Sequence, residues 1–192
     1  MKQMFKRFLK AQSGAAAVEA VLILPFLFIL YFSLQDFTAL VTFNRKITLT
    51  SATLSDTIAQ YQTTVVRSDI TDMFNAVGMI MQPTPSANVR VNLYGYYLNG
   101  TTPTIRWQAN NGSGPTCAAP DTSTYATLMT SGNDLVVAVT CMNYTPWVAT
   151  FFGQSLVGGT TFLLSQTIAS RPRASATLSC VTTSGGTTAC SS

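Results

Sequence analysis

The chemistry this chain offers starts with one carboxylate in a costly place. Glu19 lies within residues 15–34, a run that is otherwise nearly all apolar. An ionised acid inside a membrane-spanning helix costs on the order of 2.5–3.5 kcal/mol even on lenient insertion scales, so it calls for a partner. Gly14 stands just before the run and just after a basic stretch holding Lys2, Lys6, Arg7 and Lys10. Cleavage between Gly14 and Ala15 would create an α-ammonium at Ala15. Glu19 would then be the fifth residue of the mature chain, one helical turn (i, i+4) from that amine. The charge could be neutralised within the subunit, or by the new amine of a neighbour in the same membrane.

Other chemistries fall away. There is no histidine, which removes His-based triads, His acid–base chemistry and His metal sites. The four cysteines are separated by 23, 38 and 9 residues, with no C-x-x-C pair. All lie beyond the apolar run, so they read as disulfides in an oxidising compartment. Of three connectivities, short local loops favour Cys117 with Cys141 and Cys180 with Cys190. Asp121 and Asp134 are lone acids in loop-like surroundings, and calcium needs several convergent oxygens. No metal, cofactor or catalytic set is expected.

Charge narrows the partners. Charged residues are 9% of 192, against 47% hydrophobic ones, which excludes a disordered chain and argues against a plain cytosolic enzyme. Residues 1–14 carry the whole +4 net charge and leave seven basic and seven acidic side chains in balance. The remaining basic residues are scattered, so a nucleic-acid surface is not expected.

Three readings compete for the N-terminus. A cleaved secretory signal has the basic start, but this apolar stretch is about 20 residues where about 7–15 is usual, and no small-residue cleavage site follows it. An uncleaved signal anchor fits the length and would keep the basic end cytoplasmic, but leaves Glu19 unexplained. Processing after Gly14 accounts for both.

Ser13-Gly-Ala-Ala-Ala-Val-Glu19, followed by Ala20-Val-Leu-Ile-Leu-Pro-Phe-Leu-Phe-Ile-Leu30, resembles the class III signal of type IV pilins and pseudopilins. Gly14, Val18, Glu19 and Pro25 match the TadE-like pseudopilins of the tight-adherence (Flp) system. Asn143-Tyr-Thr-Pro-Trp147 and Ala169-Ser-Arg-Pro-Arg173 look like the weaker C-terminal signature of that family. Major pilins of this system are very short and often carry Tyr after the Glu, where Ala20 stands here, so the resemblance points to a minor subunit. It implies a prepilin peptidase acting at Gly14–Ala15, and packing against other pilins and pseudopilins through Ala15, Ala16, Val18, Glu19 and Pro25. It further implies an assembly platform in the bacterial inner membrane. The N-terminus would be cytoplasmic, with the C-terminal domain periplasmic or carried outside on a pilus. An unprocessed, membrane-tethered binding domain is the rival reading.

The elements that must position these residues follow from periodicity. Leu40, Phe43, Ile47, Leu54, Ile58, Tyr61 and Val65 make one apolar helical stripe, expected to pack against the domain, with a coiled-coil-like contact to other subunits as the alternative. Its many threonines are mediocre helix formers, so a break is expected between Asn44 and Thr53. A second helix is predicted over 69–81, capped by Ser68 and ended by Pro83 and Pro85. Strands are predicted over 87–98, 104–109, 135–143 and 160–170. Residues 110–121 read as a long loop, residues 146–159 as an aromatic loop under the sheet, and Tyr94, Tyr96 and Tyr97 as cross-strand partners. The fold class is α+β: a long N-terminal transmembrane helix running into a globular domain with a short second helix and an antiparallel sheet. The expected divisions are a leader at 1–14, a membrane helix at 15–43, a stalk and second helix at 44–82, a β domain at 83–175, and a polar Cys-containing tail at 176–192.

Overall fold

A computed structural model describes residues 13–84, 86–152, 161–173, 177–182 and 190. Lys2, Lys6, Arg7 and Lys10, Pro85, and stretches 153–160 and 183–189 lie outside the described residues. The chain divides into two compact units. One is Met1–Ala39 with Thr145–Thr160; the other is Leu40–Tyr144 with Thr161–Ser192. The fold is α+β.

Helix α1, Ser13–Ala59, contributes to both units. In the larger unit it buries Ile47, Leu54 and Ile58, with Phe43 and Tyr61 packed beside them. The apolar stripe is therefore core. The expected break between Asn44 and Thr53 is absent. Threonine hydroxyls fold back onto the carbonyl one turn earlier: Thr48 to Asn44 at 2.8 Å, Thr50 to Lys46 at 2.8 Å and Thr57 to Thr53 at 2.7 Å. Such back-bonds satisfy the hydroxyl without leaving the helix, and burial of one face supplies more stability than propensity removes.

The second helix, α2, spans Arg67–Ile80. It starts earlier than predicted and Ser68 does not cap it; its N-cap is Val66, with no side-chain cap bond. The cause is strand β1, Thr64–Val66, which holds Val66 in extended conformation and pairs in parallel with β6, Ser179–Val181. Residues Ser179–Val181, within the expected tail, thus pair with Thr64–Val66, within the expected stalk. Strands of three residues are too short to show a period, which is why neither was predicted.

The main sheet is antiparallel, with order β3-β2-β4-β5, from β2 (Val89–Asn99), β3 (Thr102–Asn110), β4 (Leu135–Tyr144) and β5 (Phe162–Ser170). Its β4 strand is buried at every residue except Asn143, because both faces of the sheet are covered. On one side Val89, Val91, Leu93, Val136, Ala138 and Met142 pack with α1 and α2. On the other, Tyr96, Val137 and Val139 pack with Met129 and the Cys117–Cys141 pair. The loop over 110–121 therefore acts as a second cover, followed by a one-turn helix α3, Thr122–Ala126, capped by Asp121. Tyr96 is buried, and Tyr94 and Tyr97 are half-buried. Burial first, then neighbouring Tyr94 and Tyr125, push the Tyr96 phenol up to about 12.

A row of hydroxyls sets helix against sheet. Ser51 Oγ lies 2.8 Å from Thr140 Oγ1 and 3.2 Å from the Gln166 carbonyl. Ser170 donates to Ser55 Oγ at 3.0 Å, and Gln166 Nε2 to Asn44 Oδ1 at 3.0 Å. At the opposite edge, Trp107 Nε1 donates to the Leu178 carbonyl at 3.0 Å, while the Leu178 amide donates to Asp134 Oδ2 at 2.8 Å. Asp134, expected as a lone loop acid, is buried and paired with Arg106 at 3.0 Å. The pair holds the chain entering β6.

Two outcomes test this packing. The Trp107 ring lies over Gly95, where an added Cβ would come within 2.1 Å of Nε1. Gly95→Ala is expected to destabilise the larger unit by about 1–3 kcal/mol, read as a lower Tm of the full chain in detergent; an unchanged Tm would mean the ring does not need that space. The raised Tyr96 value favours the folded state while the phenol stays protonated. Stability should be complete below pH 10.0 and fall as pH rises towards about 12, with Tyr96→Phe flattening that limb in an alkaline melting series.

Candidate functional site

The site is the apolar part of α1 and what is attached to it. Gly14 and Ala15 lie within the first helical turn, and the helix runs on through Ala16, Val18, Glu19 and Pro25. No loop separates the Gly14–Ala15 bond from the apolar run. Pro25 carries no N–H, so the Val21 carbonyl lacks its usual donor one turn on. Ala15 and Glu19 are one turn apart on the same face.

This stretch is long and apolar enough to cross a membrane, with none of its apolar window buried inside the molecule. Val18, Val21, Leu22, Phe26, Leu27, Leu30 and Leu34 are all exposed, Leu22 by 72%. An exposed apolar surface of this extent marks a lipid or protein contact. Glu19 is exposed within it. Among the described residues, the Glu19 carboxylate has no hydrogen-bond or ion-pair partner. The few hydroxyls further along are satisfied internally, Ser33 on the Ile29 carbonyl at 2.7 Å and Thr38 on the Leu34 carbonyl at 2.9 Å.

A second acid on this helix was missed by sequence reasoning. Asp36 is 8% exposed. One carboxylate oxygen accepts the Trp147 amide and the other the Val148 amide, both at 2.8 Å. Those amides open helix α4, Trp147–Phe152, where free N–H groups and the helix dipole favour an anion. The predicted aromatic loop therefore begins as a helix. Asp36 and Trp147 are more than a hundred residues apart, so no local pattern could have joined them; Trp147 alone was singled out, as part of Asn143-Tyr-Thr-Pro-Trp147.

The remaining predicted residues are placed plainly. Cys117 is bonded to Cys141, with Cα atoms 5.7 Å apart, and Cys180 to Cys190, 5.3 Å apart. The first pair ties the covering loop to β4, and the second closes the strand that pairs with β1. Among the described residues, no three His, Cys, Asp or Glu side chains converge as a metal site would require. A hollow of about 260 Å³ between α2 and the end of β3 is lined by Arg67, Thr71, Asn75 and Asn110 with Ile70 and Phe74. It brings no acid–base pair together.

Compared with protein-family models, curated proteins and solved structures, the chain finds no match.

The Asp36 contact predicts a local effect. Asp36→Ala removes both acceptors from the start of α4, a capping loss of about 0.5–2 kcal/mol. Limited proteolysis of the full chain in detergent should then cut faster within residues 145–152, with cleavage elsewhere unchanged. Equal rates at that segment would show that Asp36 does not hold it.

Proposed function

We propose that this chain is a minor pseudopilin of the tight-adherence type, a structural subunit that helps start or tip a pilus. The observation that carries the reading is Glu19, an exposed acid without a described partner on an apolar helix, five residues after a Gly–Ala bond. A prepilin peptidase would release residues 1–14. The new Ala15 amine and Glu19 then supply opposite charges at one end of the span. Pairing Glu19 with the amine of an adjacent subunit sets the axial register, because a misplaced charge in hydrocarbon is costly. Ala15, Ala16, Ala17 and Ala20 let neighbouring helices approach closely. Such contacts are heterologous and do not close on themselves, so they extend a filament or begin one. The basic leader keeps the processed end cytoplasmic, and the two disulfides suit a domain exported across the inner membrane.

Intact mass and N-terminal sequencing of the protein from membranes, with and without a prepilin peptidase, test the reading. The expected result is a chain beginning at Ala15 only where the peptidase is present, and a full-length chain for Gly14→Phe in both. A chain beginning at Met1 in all samples would sink the proposal and leave an anchored domain. Once processing is established, Glu19→Ala should still insert but co-purify with pilus subunits about tenfold less or worse, the loss expected of a contact worth more than about 1.4 kcal/mol. Assembly equal to wild type would remove the pairing argument.

A further inference from the structure

We infer that Asp36 and α4 form a second membrane contact: the segment 145–152 is seated in the interfacial layer of the leaflet opposite the basic leader, with Trp147 as its anchor. The inference deepens the membrane part of the proposed function and depends on neither cleavage nor a pilus.

Length places Asp36 at that boundary. From Ala17 to Asp36 the helix rises about 29 Å at 1.5 Å per residue, matching a hydrocarbon core of about 30 Å. A bare carboxylate at this depth would pull the helix end into water. Here it is covered, and both oxygens are taken by the Trp147 and Val148 amides. The arrangement is reciprocal, because those two amides would otherwise be unsatisfied donors at the edge of the bilayer. Each group makes the other tolerable near lipid.

Composition makes lipid the fitting occupant. No Asp, Glu, Lys or Arg occurs from Leu135 to Ser170, a stretch that includes all of α4. Trp147 is 59% exposed, while Val148 and Ala149 beside it are buried. An indole with its apolar ring and single donor favours the headgroup level over both water and hydrocarbon. Exposed Tyr31 and Phe37 on α1 flank Asp36 on either side. The seat thus continues the exposed apolar surface of the span, and the segment belongs to the same compact unit as that span.

The chain has two tryptophans, and Trp107 is buried in the larger unit. Subtracting the emission of Trp147→Phe from that of the wild type therefore isolates Trp147 without touching the core. The full chain is reconstituted in phosphatidylcholine–phosphatidylglycerol vesicles. One set carries lipids brominated near the headgroup end of the acyl chain, and another carries bromine near the chain terminus. The Trp147 signal should be quenched strongly by the first and weakly by the second, and should resist aqueous iodide. Asp36→Ala should make it iodide-sensitive. Iodide quenching of wild-type Trp147 with no effect of brominated lipid would overturn the inference, as would resistance to both quenchers, which would place a protein partner on the segment. Alkaline carbonate extraction of the same vesicles separates the failures: a chain that stays in the membrane with Trp147 in water loses the seat but keeps the span, and a chain that is extracted loses both.

Discussion

Polar groups on an apolar helix have to find partners away from water, and the organisation of this chain follows from how α1 meets that demand. Ser33, Thr38, Thr48, Thr50 and Thr57 turn back on their own helix. Ser51 and Ser55 reach across to β4 and β5. Asp36 captures the first amides of α4. Glu19 is left exposed. The first three solutions are internal to the fold; the fourth is the one on which the proposed assembly rests.

That division separates two kinds of acid. Asp134 and Asp36 are both buried, and each is met by backbone amides or a guanidinium supplied by distant sequence. Removing either would leave orphaned donors behind, so both read as fixtures of the fold. Glu19 has no such enclosure among the described residues; the proposed pairing in an assembly is what would recover its cost.

The long-range plan was legible in the sequence wherever a period ran for several turns or residues. The apolar run, the Ile47–Leu54–Ile58 stripe and the alternation of Val89, Val91 and Leu93 all announce their elements. Glu19 was legible because a lone acid among apolar residues is conspicuous. Asp36 was not, since its partners come from another part of the chain. The three-residue strands Thr64–Val66 and Ser179–Val181 had no period to show and exist because each completes the other. The expected break in α1 failed for a related reason: helix propensity counts each threonine alone, whereas its hydroxyl bond and the buried neighbour beside it act together.

The hydroxyl row between α1 and the sheet has a mechanical side. Asn44, Ser51 and Ser55 meet Gln166 and Ser170 in rising order along both elements, so α1 and β5 run the same way. A pull along the axis of α1 therefore loads these bonds in shear, several together, and not one after another as in peeling. Within the larger unit, load along that part of α1 is thus shared among several bonds at once.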